Sequence, residues 1–269
     1  MKKTFIPRIK NYVKRNLGMA SPKRALEVFD DDIFLVSYPK SGNTWVRFLL
    51  ANLLEPTQDV NFSNIDSIVP DIYKSTTSYI QSLVRPRILK SHEYLDVRYK
   101  KVIYLVRDPR DVLVSYYHYK ILRRQQSENY SIELFAKHFL DGTVDNFGSW
   151  SDHVGGWMGA RAGTRNFVLV RYEDLLETPV EELERISQIF ERKFTSAQFE
   201  QAVLNSSFDI MKNLEKTTAN KWKTLKDSRK DKSFLREGRS ETWKSELSSS
   251  IIKIIDEKYF KIMKRLNYK

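Results

Sequence analysis

Tyr38-Pro39-Lys40-Ser41-Gly42-Asn43-Thr44-Trp45 is the stretch whose reading decides the fold. An apolar run, Ile33-Phe34-Leu35-Val36, precedes it and has the character of a buried strand. The nine residues after it, 46–54, are mostly apolar and read as a helix. A strand, a short loop with Lys and Gly, and a helix aim free backbone N–H groups and a positive helix end at one point, which suits a phosphate. An ordinary strand-to-helix turn would need the Gly alone. Here Gly42 coincides with Lys40, a mobile full charge, and with the hydroxyls of Ser41 and Thr44. The loop is not the nucleoside-triphosphate pattern, which ends Gly-Lys-Ser/Thr with four residues between two glycines. Lys40 stands two residues ahead of the only Gly, so a different phosphate ligand or a different broken bond is expected.

The same alternation continues along the chain. Residues 86–90, ending at Ser91-His92, read as a second strand, 101–107 as a third and 167–172 as a fourth. Asp108-Pro109 opens a helix, with Pro at the first helical position where its missing N–H costs nothing. Thr178-Pro179-Val180-Glu181 reads as a capping box starting a helix to about Phe190, and residues 251–266 as a C-terminal amphipathic helix. Alternating strands and helices imply an α/β fold: a single domain with a central, mostly parallel sheet flanked by helices and a phosphate-binding loop after the first strand. Ligands then bind beyond the carboxyl ends of the strands, where residues 40–44, Ser91-His92, Arg107-Asp108 and Tyr172-Glu173-Asp174 stand.

With 269 residues, 30% charged and 41% hydrophobic, the chain has room for one sizeable core. It contains no Cys, which excludes disulfides, thiol catalysis and Cys-ligated metals; the four His show no metal-ligand spacing. The net charge of +12 is concentrated in two segments. Residues 1–26 hold eight basic residues and no acid, and residues 213–244 hold ten basic and five acidic, so the body is close to neutral. Residues 1–26 are read as a basic N-terminal segment and 27–269 as the domain. Within the first segment Ile6, Ile9, Val13 and Leu17 recur at roughly helical spacing, which permits peripheral membrane contact through residues 1–20 as well as packing on the domain. Residues 217–242, poor in apolar residues, read as a long exposed and mobile loop. No secretory or spanning segment is visible, so a cytoplasmic enzyme is expected.

Three further stretches stand beside the first: Leu89-Lys90-Ser91-His92; Arg107-Asp108-Pro109-Arg110-Asp111-Val112-Leu113-Val114-Ser115; and Phe234-Leu235-Arg236-Glu237-Gly238-Arg239 followed by Trp243-Lys244. In this order, from about residue 33 to 244, the four resemble the sulfotransferases that use 3′-phosphoadenosine 5′-phosphosulfate (PAPS), the cytosolic branch most. The resemblance implies roles. Lys40 matches the Lys that contacts the leaving phosphosulfate oxygen, and Ser41, Gly42, Asn43 and Thr44 the loop that holds the 5′-phosphate. Trp45 is similar to a ring stacked on adenine, with Phe208 on the opposite face, and Tyr172 and Ser206 match further adenine contacts. Arg107 and Ser115 match the pair on the 3′-phosphate, and the stretch Phe234, Leu235, Arg236, Glu237 and Gly238 the loop that closes over it. His92 matches the general base, so that Lys40, His92 and Ser115 form the expected catalytic set. Two positions depart from the family pattern: Asn43 stands where Thr is usual, and Glu237 where the cytosolic pattern has Lys. A carboxylate beside a phosphate is unfavourable unless it points away, which is the orientation expected of Glu237.

The implied chemistry moves a sulfuryl group in line between two oxygens, with PAPS as co-substrate, 3′,5′-adenosine bisphosphate (PAP) as product and no metal. The acceptor, whether small molecule, lipid or glycan, is not legible. Alone, His92 would read as a polar strand-end residue, Arg107-Asp108 as an ion pair at a helix start, and Tyr116, Tyr117 and Tyr119 as packing. Trp150, His153 and Trp157 read as core before acceptor pocket, and Asp174 as orienting the segment after Tyr172. A phosphate-loop kinase or NTPase is the rival enzyme, with Thr44 and Asp108 as conceivable magnesium partners, but it lacks the Gly-Lys-Ser/Thr ending. A nucleic-acid-binding protein is the rival from another class. It rests on charge alone, and no nucleic-acid partner is expected.

Overall fold

In a computed structural model of the protein, which describes residues 21–268, the four expected strands form one sheet. The basic segment read at residues 6–17 lies outside the described residues. The strands β1 (Ile33–Ser37), β2 (Ile88–Ser91), β3 (Lys101–Val106) and β4 (Phe167–Arg171) lie in the order β2-β1-β3-β4, each neighbour pair parallel. Among the described residues eight helices have nine residues or more. They are α1 (Asn43–Leu54), α2 (Pro109–Leu122), α3 (Ile132–Leu140), α4 (Trp150–Arg161), α5 (Pro179–Ser187), α6 (Ser196–Asn205), α7 (Phe208–Thr218) and α8 (Ser249–Arg265).

Side chains alternate across a strand, and both faces of this sheet are covered. Ile33, Leu35, Ile103 and Leu105 pack with Val46, Leu49 and Leu53 of α1 and with Leu183, Ile186 and Phe199 of α5 and α6. Phe34, Val36, Val102 and Tyr104 pack with Val112 of α2, Trp150 and Trp157 of α4, and Ile255 and Tyr259 of α8. Trp150, His153 and Trp157 are fully buried, in the core role expected for them. The register pairs Val36 with Ser91, Ser37 with Leu105 and Val106 with Arg171, so all four carboxyl ends reach one edge.

The readings around Tyr172 and Thr178 need correction. Residues 167–172 end as a strand at Arg171; Tyr172 opens a short helix, Tyr172–Glu177. Thr178 closes that helix, its N–H donating to the Asp174 carbonyl at 2.8 Å, and it also precedes α5. Its hydroxyl donates to the same carbonyl (3.3 Å), so no capping box forms, and α5 stops at Ser187. Residues 217–242, read as a long exposed and mobile loop, are mostly exposed. They contain short 3-10 turns, Ala219–Lys221 and Lys223–Leu225, and an almost completely buried Trp222 packed on Phe62 and Phe234. Arg123 donates to the carbonyl of Lys226 (2.7 Å) and the hydroxyl of Ser228 (2.8 Å), and Glu215 accepts from the N–H groups of Phe234 and Leu235 (2.6 and 3.0 Å). The segment has little regular structure but is tied down along its length.

The start of the sheet is locked by one buried pair. The Arg87 guanidinium donates to both Asp32 oxygens (2.8 and 2.5 Å) and to the carbonyls of Ile80 and Glu27. Both side chains are at most 1% exposed. Asp32→Ala leaves that guanidinium buried without its counter-charge, and urea denaturation should show a loss of about 3–5 kcal/mol.

Candidate active site

Beyond the carboxyl ends of β1, β2 and β3 lies a cavity of about 600 Å³. Among the described residues nine Lys and Arg side chains and three carboxylates line it, a strong excess of positive charge. On one wall stands the loop after β1. Lys40 takes a left-handed conformation (φ 70°), and its ammonium lies between two rings, 4.2 Å from the centre of Tyr119 and 4.3 Å from that of Phe234. Burial, with Arg107, Arg236 and Lys90 nearby, pushes the Lys40 ammonium down to about 7. Gly42 has φ 99° and meets Tyr172 so closely that a Cβ would lie 2.5 Å from the ring. No side chain fits there. The first N–H groups of α1 follow at once, without intrahelical acceptors.

Three aromatic residues and two arginines complete this wall. The Trp45 indole donates to the Ser206 carbonyl (3.0 Å) and stands edge-on to Tyr172 at 5.6 Å. Phe208, at the start of α7, lies against Gly238, where a Cβ would come within 2.2 Å of the ring. Arg107 stacks over Tyr172 at 4.2 Å and donates to the Arg239 carbonyl (2.9 Å), while its buried Nε has no partner among the described residues. Arg236 donates to Glu246 (2.6 Å) and Glu237 (2.9 Å), and Glu237 also accepts from Arg239 (2.6 Å). Glu237, expected to point away from a phosphate, is exposed; it borders the cavity and pairs with both arginines.

His92 stands across from this wall, just past β2. Its Nδ1 lies 2.7 Å from the Ser37 carbonyl. A carbonyl only accepts, so Nδ1 carries the proton and Nε2 is left as an acceptor. Burial and the neighbouring Lys90 hold the ring well below the usual histidine range, so it is neutral. The Tyr73 ring lies parallel to it at 6.2 Å, and the Phe147 ring edge-on at 5.6 Å. Behind it, His153 Nε2 donates to the His92 carbonyl (3.2 Å) and its Nδ1 accepts from the Tyr104 hydroxyl (2.7 Å); burial pushes the ring to about 4, which makes it a structural part of the wall.

Of the residues singled out in the sequence, Lys40, Gly42, Asn43, Thr44, Trp45, His92, Arg107, Ser115, Tyr172, Phe208 and the whole stretch 234–238 line the cavity. Ser41 does not: its buried hydroxyl donates to the Tyr38 carbonyl (2.9 Å). Ser206 does not either; it is buried, bonded to Asn52 and to Trp45, and reaches the cavity only through the indole it orients. Asp108 accepts from the N–H of Arg110 at the start of α2 and pairs with its guanidinium (2.6 Å), so its oxygens are engaged. Tyr116 and Tyr119 pack on the core, as expected, and also line the cavity. Sequence reading passed over Asp111. That buried carboxylate accepts from the N–H groups of Glu241 (2.8 Å) and Trp243 (3.2 Å) and from the Thr242 hydroxyl (2.8 Å), and lies 3.5 Å from Arg107. The available signal was its position four residues after Arg107, one helical turn on.

A cationic cavity at the strand ends, a helix N-terminus and a buried Arg with a free donor define an α/β enzyme that binds a multiply phosphorylated ligand. Residues 30–267 match the sulfotransferase domain family. Human sulfotransferase 2B1 is 32% identical over 251 residues, covering 88% of this chain and 67% of its own length. Mouse sulfotransferase 1 family member D1 is 30% identical over 263 residues, covering 90% and 87%. The crystal structure of mouse sulfotransferase SULT7A1 complexed with PAP superposes with a TM-score of 0.68 at 25% identity, covering 89% of this chain and 87% of that one. The chain belongs to the sulfotransferase family. It is a PAPS-dependent enzyme that transfers a sulfuryl group, with PAP as the product. Among the described residues no helix is long and apolar enough to cross a membrane.

Asp111 gives a test of how the 236–243 segment is held. Asp111→Ala strands three donors and an Arg, with an expected loss of about 3 kcal/mol in urea denaturation. PAP affinity, measured by calorimetry, should fall as well, because Arg236 and Arg239 lose their anchor.

Proposed function

We propose that this enzyme transfers the sulfuryl group to a small-molecule hydroxyl, with His92 as general base and Lys40 at the leaving oxygen. The observation that carries the reading is the 2.7 Å contact from His92 Nδ1 to the Ser37 carbonyl, which fixes the tautomer and frees Nε2. A neutral imidazole with Nε2 as acceptor is the form that removes a hydroxyl proton. PAPS supplies the activated sulfuryl group. His92 takes the acceptor's proton as its oxygen attacks, and Lys40 carries positive charge to the phosphate oxygen where negative charge develops. Arg107, Ser115, Arg236 and the 234–238 stretch would hold the 3′-phosphate, supported by the unpartnered Arg107 Nε. The α1 N-terminus, with Gly42, Asn43 and Thr44, would hold the 5′-phosphate. Trp45 and Phe208 offer ring faces to adenine, with Tyr172 beside them. An enclosed aromatic setting for His92 favours a small molecule over a glycan chain.

Two measurements test these roles. PAP should bind at least tenfold more tightly than 5′-AMP, and His92→Gln should cut turnover by about 10²–10⁴-fold while PAP affinity changes less than about threefold. Wild-type turnover in His92→Gln would remove it as the base. Lys40 gives a pH dependence. In the free protein its ammonium is half neutral near pH 7, and an anion binds the protonated form. PAP affinity should therefore fall as pH rises above 7, by up to about tenfold per unit for one linked proton. Calorimetry from pH 6 to 9 should show the slope in wild type. It should be absent in Lys40→Arg, whose guanidinium stays charged.

A further inference from the structure

On the side away from the phosphate loop, the cavity carries cations without counter-charges. Lys23 and Lys74 belong to segments laid against the end of β2. The Lys23 N–H donates to the Ile72 carbonyl (3.4 Å), and the Ile72 N–H to the Lys90 carbonyl (3.2 Å). Lys120, on α2, donates to the Val144 carbonyl (3.3 Å) with its ammonium 5.2 Å above the Tyr116 ring. All three line the cavity, and among the described residues none has a carboxylate partner. Two carboxylates share this end. Asp71 is neutralised by Lys90 at 2.9 Å. Asp145 is engaged by the Tyr116 hydroxyl and by the Phe147 N–H (2.8 Å), and burial pushes it up to about 6.

Next to these charges the setting of His92 is flat and aromatic. The Tyr73 and Phe147 rings stand 5.5 Å apart, edge to face, each beside the imidazole. We propose that the acceptor is a phenol that carries a carboxylate, its ring beside Tyr73 and Phe147, its hydroxyl at His92 Nε2 and its carboxylate toward Lys120, Lys74 and Lys23. This rests on the role given to His92 above. Lys120 is half-buried, and burial lowers its pKa, so a carboxylate restores solvation that the site withholds from it. Lys23 and Lys74 are exposed at the mouth, where they raise the local concentration of an anion. In the transfer the phenolic proton passes to His92 Nε2, the phenolic oxygen–sulfur bond forms, and the bond from sulfur to the phosphate oxygen breaks with its electron pair leaving on PAP. The carboxylate is unchanged throughout.

Three probes that differ mainly in charge test this: 3-(4-hydroxyphenyl)propanoate, its neutral amide, and tyramine, each with PAPS at pH 7.5. The expected kcat/KM for the acid exceeds that for the amide by about tenfold. That ratio should shrink as salt rises, because the lysines at the mouth are screened. Lys120→Gln should lower the ratio by about threefold, and Lys120→Arg should restore it. An amide as good as the acid overturns the proposal. So does a preference for tyramine, which would make Asp145 the recognising charge. If PAP binds but none of the three is sulfated, the acceptor class is wrong while the sulfuryl-transfer reading stands. If PAP does not bind either, both fall.

Discussion

The hydrogen bond from His92 Nδ1 to the Ser37 carbonyl joins the end of β2 to the end of β1, and the site is arranged around it. Ser37 is the last residue of β1 and the start of the turn that delivers Lys40 and Gly42. Its hydroxyl also accepts from the Asn43 side chain (3.1 Å) at the first residue of α1. One residue thus ties the phosphate loop, the helix that follows it and the imidazole opposite. The parallel pairing of β1 with β2 is what makes that possible, because Val36 and Ser91 stand side by side and both chains leave the sheet at the same height. In an antiparallel pair the two ends would lie at opposite edges.

Electrostatics then sets the character of the cavity. Cations are gathered where water is largely excluded, and their cost is met in different ways. Lys90 has Asp71, Arg236 has Glu246 and Glu237, and Arg107 has Asp111, a stacked Tyr172 and a carbonyl. Lys40 has the faces of Tyr119 and Phe234, with Glu215 a weaker influence, and loses its proton more easily than an exposed lysine would. Glu237 also pairs with two arginines, Arg236 and Arg239, at the exposed edge of the cavity.

Much of the framework was legible because its physics is local. Parallel strands covered on both faces appear as short apolar runs, and Asp108-Pro109 announces a helix start through a cap and a fixed φ. Thr178-Pro179 carried the same kind of signal, and its cap failed because a six-residue helix, too short to show a period, ends on the same Thr. The 217–242 segment is mostly exposed, as read, but its anchors were not legible because they come from elsewhere: Glu215 on α7, Asp111 on α2 and the pocket around Trp222. Composition does not report tertiary hydrogen bonds. The acceptor end was illegible for the same reason. Tyr73, Lys120, Asp145 and Phe147 belong to no shared motif and meet only because residues 71–74 lie on β2 and residues 144–147 cross α2.

The central claim is that His92 is a neutral base with its proton on Nδ1. Nitrogen-15 NMR of the histidine side chains, titrated from pH 8 to 5 and assigned with His92→Gln, reads this directly. His92 should show the Nδ1–H tautomer and remain neutral well below pH 6.5 in the free protein. A His92 that carries its proton on Nε2, or that titrates near 6.5 as an exposed imidazole does, would contradict it.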